Sequence, residues 1–146
     1  MTKENIEIAI IGLGLIGGSI AKALKKSSVP FYITAFDTEE TLCLAMDESV
    51  IDKKLSKVEQ AVDADIIFLC LPVDLSIDAF IKLIPLLKDE TILTDVCGVK
   101  GIFKKTWDML SVKGSYIGGH PMTGKEKGGY RNSDPLLFEN AVYIIS

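Results

Sequence analysis

The chain has 146 residues, of which 48% are hydrophobic and 25% charged, with a formal net charge of −4 and a single histidine. That length suits one domain with a sizeable core, and the composition excludes a disordered chain. A mild acidic balance with no basic run offers nucleic acid no footprint, and no apolar stretch nears the roughly 18 residues a membrane span needs. Met1 leads within a few polar residues into an apolar run, so no signal peptide is expected and the expected compartment is the cytoplasm. Cys43, Cys70 and Cys97 are odd in number and lack C-x-x-C spacing. Free thiols and no metal site are the expectation.

From Ile6 to Leu24 the sequence reads as a strand, a glycine turn and a helix without a break. Ile6, Ile8, Ile10 and Ile11 form a short β-branched run suited to a strand covered on both faces. Gly12, Gly14 and Gly17 then give G-x-G-x-x-G. The first glycine permits a tight turn, the second lets a pyrophosphate approach the backbone, and the third lets helix and strand pack closely. Leu13, Leu15 and Ile16 fill the turn and open the helix, whose free N–H groups face the anion. Phe31–Phe36 reads as a second strand ended by Asp37, about 20 residues past the turn, where a carboxylate can bond an adenosine ribose. Asp37 as the N-cap of the following helix is the competing reading.

Thr38–Glu48 has the pattern of a helix, and Val50–Ile51 that of a short strand. Lys53–Val62 reads as a polar helix or a loop. Asp65–Leu71 is a buried strand stopped by Pro72, so Leu71, Pro72 and Val73 either present backbone to a cofactor or simply end the strand. Leu75, Ala79, Phe80, Leu83 and Ile84 recur at helical spacing, with Pro85 ending or kinking that helix. Thr91–Val96 is a fifth strand. Its Asp95 can cap the next helix or reach a cofactor through water. Cys97 beside it can be an activated thiolate or a small half-buried filler. Val99, Ile102, Phe103, Trp107 and Leu110 line one face of a further helix, Ser115–Gly118 is strand-like, and Ala141–Ile145 is a closing strand. Strands alternating with helices imply an α/β, Rossmann-type, doubly wound and mostly parallel sheet spanning residues 1–146. Ligands in such sheets sit beyond the carboxyl ends of the strands.

That rule selects the loop Gly118–Tyr130, GGHPMTGKEKGGY. His120 lies just past the sixth strand. With an unperturbed pKa near 6.5 it can take a proton from a substrate hydroxyl while a nicotinamide takes the hydride. A buried histidine tying the loop to backbone is the alternative. Thr123-x-x-Glu126 fits a capping box, which would make both structural. Lys125 and Lys127 can attract a carboxylated substrate or be merely solvated.

GLGLIGGS, an acidic end to the second strand, L-P-V after the fourth, T-D-V-x-x-V-K-G after the fifth and G-G-H-P-M-x-G-x-E-K-x-G-Y after the sixth occur in this order. Together they resemble the cofactor domain of the prephenate dehydrogenase family, which includes arogenate dehydrogenases. The resemblance implies an oxidoreductase of tyrosine biosynthesis. A hydride passes to NAD(P)+ from the ring carbon bearing the hydroxyl, carbon dioxide is lost, and 4-hydroxyphenylpyruvate forms. It implies that His120 is the catalytic histidine and that Glu126, with Lys125 near it, lies beside the substrate. Where the family commonly has a serine close to nicotinamide, this chain has Gly98, preceded by Cys97. The family's helical C-terminal domain, which supplies the homodimer interface and the substrate's carboxylate-binding groups, has no counterpart before Ser146. This piece is therefore expected to bind cofactor and to turn over prephenate poorly or not at all. Asp37 followed by Thr38, without an arginine nearby, favours NAD over NADP. A non-catalytic dinucleotide-binding or redox-sensing module with Cys97 as its output is the reading from another class. A β-hydroxyacid dehydrogenase sharing only the glycine turn is a third.

Overall fold

The computed structural model describes residues 4–146. Seven strands form one sheet in the order β3-β2-β1-β4-β5-β6-β7. They are β1 (Ile6–Ile11), β2 (Phe31–Phe36), β3 (Lys53–Lys54), β4 (Ile66–Leu69), β5 (Ile92–Asp95), β6 (Ser115–Pro121) and β7 (Tyr143–Ile145). All neighbours run parallel except β6 and β7, which are antiparallel. Helices α1 (Leu15–Lys26), α2 (Glu39–Asp47), α3 (Val73–Leu83) and α4 (Gly101–Leu110) cover its two faces. None of the described helices is long and apolar enough to cross a membrane.

Strand alternation divides the core. Ile8 and Ile10 of β1 point to the face where Ile20 and Ala21 of α1 and Leu42 and Ala45 of α2 pack. Ala9 and Ile11 point to the other face, against the residues of α3 and α4. There Phe80 is fully buried and meets Phe103 and Tyr116 edge-on, with ring centroids 5.2 and 5.1 Å apart. Phe80→Ala is expected to cost about 3–5 kcal/mol of unfolding free energy, the usual range for a buried aromatic. Urea denaturation checks this, and a loss under about 1 kcal/mol would contradict the packing described.

Several elements differ from the sequence expectation. The strand after α2 is Lys53–Lys54 rather than Val50–Ile51, because Ser49 turns the chain at φ 58° and the first bond to β2 is Asp52 N–H to Ile33 O. Val50 and Ile51 serve as core instead. The segment left open between helix and loop is a 3-10 helix over Val58–Asp63. Strands β4 and β5 are each shorter than expected at both ends. Helix α4 starts only at Gly101, and of its expected apolar face Phe103 is buried while Val99, Ile102 and Leu110 are exposed. The chain reaches α4 through a loop, so Val99 never joins the helical stripe. Strand β6 runs on through Pro121, because Tyr143–Ile145 pairs with Gly119–Pro121. His120 therefore lies within the strand, not past it.

Candidate active site

The strand order reverses between β1 and β4, so the crevice for a ligand opens at their carboxyl ends. The glycine turn lies there. Gly12 has φ +101°, a conformation that suits glycine, and its N–H bonds Phe36 O at 2.8 Å. A Cβ on Gly17 would sit 1.9 Å from Gly12 O, so only glycine lets α1 start this close to β1. Gly14 is different: a Cβ there would meet nothing within 4 Å. It is also the N-cap of α1, with no side chain capping the helix. Open space in front of uncapped N–H groups fits an anion such as a pyrophosphate. Leu15 and Ile16 begin the helix, and Leu13 is buried beneath it.

Asp37 stands beside this turn. Its two oxygens accept from Leu13 N–H and Thr38 N–H, both at 2.7 Å, which fixes the carboxylate in place. The N-cap of α2 is Thr38, whose hydroxyl accepts from Thr41 N–H, so Asp37 is not needed for that task. Asp37 also lines a cavity of about 450 Å³ together with Phe36, Thr38, Val58, Leu71 and residues of α3. Its position next to the turn suits an adenosine. Leu71 contributes its side chain to that wall. The carbonyls of Leu71 and Pro72 each accept a bond from Ser76, at 2.8 Å, within the first turn of α3, which Val73 opens.

At the other end of the same edge, Gly98 and His120 come together. A Cβ on Gly98 would lie 3.5 Å from His120 Nε2 and 3.6 Å from Cε1, which is ordinary contact. His120 is half-buried and Gly98 exposed, so the imidazole is reachable from the ligand side. Asp95 does not share that exposure. It is fully buried, and its oxygens accept from Tyr116 Oη–H, Cys97 N–H and Lys100 Nζ. Cys97 is buried too, and burial, with Asp95 nearby, pushes its thiol up from the ordinary value. That is the filler, not the activated thiolate.

Loop 122–129 forms no helix, so the capping box of Thr123 and Glu126 is absent; Thr123 instead donates to Leu137 O at 3.2 Å. Lys125 pairs with Asp134 at 3.3 Å, and Glu126 is exposed. Neither is held against His120 here. The far end of the loop is pinned to α1 and to the end of α2 by contacts that no local pattern in the sequence marks. Tyr130 is buried and donates to Glu48 at 2.7 Å, Lys22 lies 4.7 Å over its ring, and Lys22 and Ser19 bond the backbone of Ser133 and Asp134. Lys100 and Tyr116, the partners of Asp95, form a second such group. The T-D-V-x-x-V-K spacing was the only sign of the first of them.

A mostly parallel, doubly wound sheet with this turn, this carboxylate and this open helix end defines a dinucleotide-binding domain of the Rossmann type. The family model for "Prephenate dehydrogenase, nucleotide-binding domain" matches residues 20–146. A prephenate dehydrogenase of Lactococcus lactis is 38% identical over 143 residues, 96% of this chain and 40% of its own length. The crystal structure of Synechocystis arogenate dehydrogenase superposes with a TM-score of 0.86 at 32% identity, over 97% of this chain and 50% of that one. The Aquifex aeolicus prephenate dehydrogenase complexed with hydroxyphenyl propionate and NAD+ also gives 0.86, at 29% identity, over 100% of this chain and 52% of that one. The chain belongs to the prephenate dehydrogenase family and corresponds to its nucleotide-binding domain. It spans about 40% of the length of the Lactococcus lactis relative.

Proposed function

We propose that this chain is the cofactor-binding domain of an NAD-dependent prephenate dehydrogenase of tyrosine biosynthesis. The observation that carries the reading is the placement of Gly98 and His120 Nε2 on the same sheet edge as the glycine turn and Asp37. A dinucleotide resting on Gly12–Gly17 with its adenosine at Asp37 and Leu71 would extend towards that pair. Bound there, NAD+ supplies the acceptor for a hydride. His120 Nε2 accepts the proton of the substrate ring hydroxyl as the hydride leaves the carbon bearing it. The bond from the ring to its carboxylate would break with its electron pair kept by the ring, carbon dioxide would depart, and the aromatised ring's oxygen would take back a proton to give the phenol. Aromatisation supplies the driving force, so the protein needs chiefly to align two rings and receive one proton.

Arogenate dehydrogenase is the second reading, favoured by the likeness to the Synechocystis enzyme. Groups that read the substrate's carboxylates and the contacts of a homodimer would then belong to the portion of the relatives that this chain does not span. Lys125 and Glu126 would approach the substrate from loop 122–129. Assaying the full-length protein on both substrates decides between the two, and turnover of neither would refute the reading.

NAD is the proposed coenzyme because the fixed Asp37 carboxylate would face a 2′-phosphate, and opposed like charges cost several kcal/mol. Titration of this chain is expected to show NAD+ binding at least about tenfold more tightly than NADP+. Asp37→Asn should narrow that gap, since asparagine can still accept from Leu13 N–H without the charge. Tighter binding of NADP+ to the unaltered chain would overturn the assignment.

A further inference from the structure

Strand β6 places Tyr116, Gly118 and His120 on one face, at alternate positions. The middle position carries no side chain, yet its space is filled. A Cβ on Gly118 would lie 3.1 Å from Lys100 Cδ, 3.2 Å from Tyr116 Oη and 2.7 Å from Ser146 Oγ. Opposite Gly118 on the neighbouring strand stands Asp95, fully buried. Its Oδ1 accepts from Tyr116 Oη–H at 2.7 Å, and its Oδ2 accepts from Lys100 Nζ at 2.5 Å and Cys97 N–H at 3.0 Å. One carboxylate thus ties together the strand that carries His120, the start of the 96–99 loop and the residue that opens α4. That loop brings Gly98 against His120 Nε2.

An ion pair between a fully buried carboxylate and a lysine whose side chain is 26% exposed is poor evidence for stability. Replacing both partners with apolar groups is often neutral or stabilising, whereas its polar geometry can fix one arrangement over others. We infer that Asp95, Lys100 and Tyr116 are positioning residues that set the gap between Gly98 and His120. The functional meaning of that gap rests on the role proposed above for His120. The gap itself is a property of the folded domain and can be tested apart from activity.

The lone histidine makes the test direct, because its imidazole Cε1–H gives a single 1H–13C resonance in this chain. Tyr116→Phe removes the hydroxyl and keeps the ring among Phe80, Phe103 and Trp107. D95N/K100M removes both charges at nearly constant volume. Each variant is expected to shift or split the His120 imidazole resonance and the Gly98 amide resonance, while the double variant melts at or above the wild-type temperature. In the full-length enzyme Tyr116→Phe should lower kcat about 10–100-fold with KM for NAD+ nearly unchanged, as displacements near 1 Å do. If both resonances stay in place in Tyr116→Phe, the inference is overturned, whatever the melting temperature does. Should NAD+ fail to bind the wild-type chain while the variants still move these resonances, the cofactor reading fails and the positioning role stands.

Discussion

Gly14→Ala is expected to weaken NAD+ binding by this domain about 10–100-fold, the loss of one close hydrogen bond to a charged group. Its melting temperature should fall by no more than about 5 °C. The reason lies in what an added methyl would meet. At residue 14 there is nothing within 4 Å, so the fold gains no clash, and exchanging glycine for alanine at an N-cap costs no more than about 1 kcal/mol. The methyl would instead stand where a pyrophosphate must touch backbone. Gly17→Ala provides the contrast. There the Cβ would lie 1.9 Å from Gly12 O, a backbone atom that cannot swing aside, so the start of α1 must move. That change should cost about 1–3 kcal/mol of stability and remove binding with it. Calorimetric titration together with thermal melts checks the pair. If Gly14→Ala binds NAD+ as tightly as the wild type, the turn is not the pyrophosphate site.

His120→Asn in the full-length enzyme is expected to lower kcat by about 10²–10⁴, the range for loss of a general base. Asparagine keeps a polar group beside Gly98 and cannot take the proton. Since His120 is half-buried near the end of a sheet strand and Pro121 behind it is buried, the substitution leaves β6 paired on both sides. KM for NAD+ should therefore hold. A variant with near-normal kcat at pH 7 would make the imidazole a structural group that ties β6 to its loop.

Local chemistry was readable in the sequence, and contacts across the sheet were not. The spacing of Gly12, Gly14 and Gly17 could be read because each glycine answers a constraint within a few residues of itself. Asp37 could be placed because it ends a strand whose start and stop are both marked. Thr38 took the capping role by being one residue closer to α2. Asp95 resists such reading. Whether a carboxylate at a strand end faces solvent or is buried depends on Tyr116, on another strand, and on Lys100, whose side chain folds back from α4. Strand β6 was cut short for a similar reason. Its last three residues are held by β7, more than twenty residues on and antiparallel, and Gly119 and Pro121 have weak strand preference of their own. Thr123-x-x-Glu126 matched a cap pattern with no helix to follow it, and the pattern alone carries no length. The redox-sensing alternative weakens for a physical reason as well, since burial of Cys97 raises its thiol and shields it from oxidants.

The most direct test is a crystal structure of this chain with NAD+ bound. The pyrophosphate should rest on the N–H groups at Gly14–Gly17, the adenosine ribose on Asp37, and the nicotinamide ring beside Gly98 and His120. A coenzyme bound anywhere else, or a nicotinamide turned away from residue 120 at full occupancy, would contradict the account.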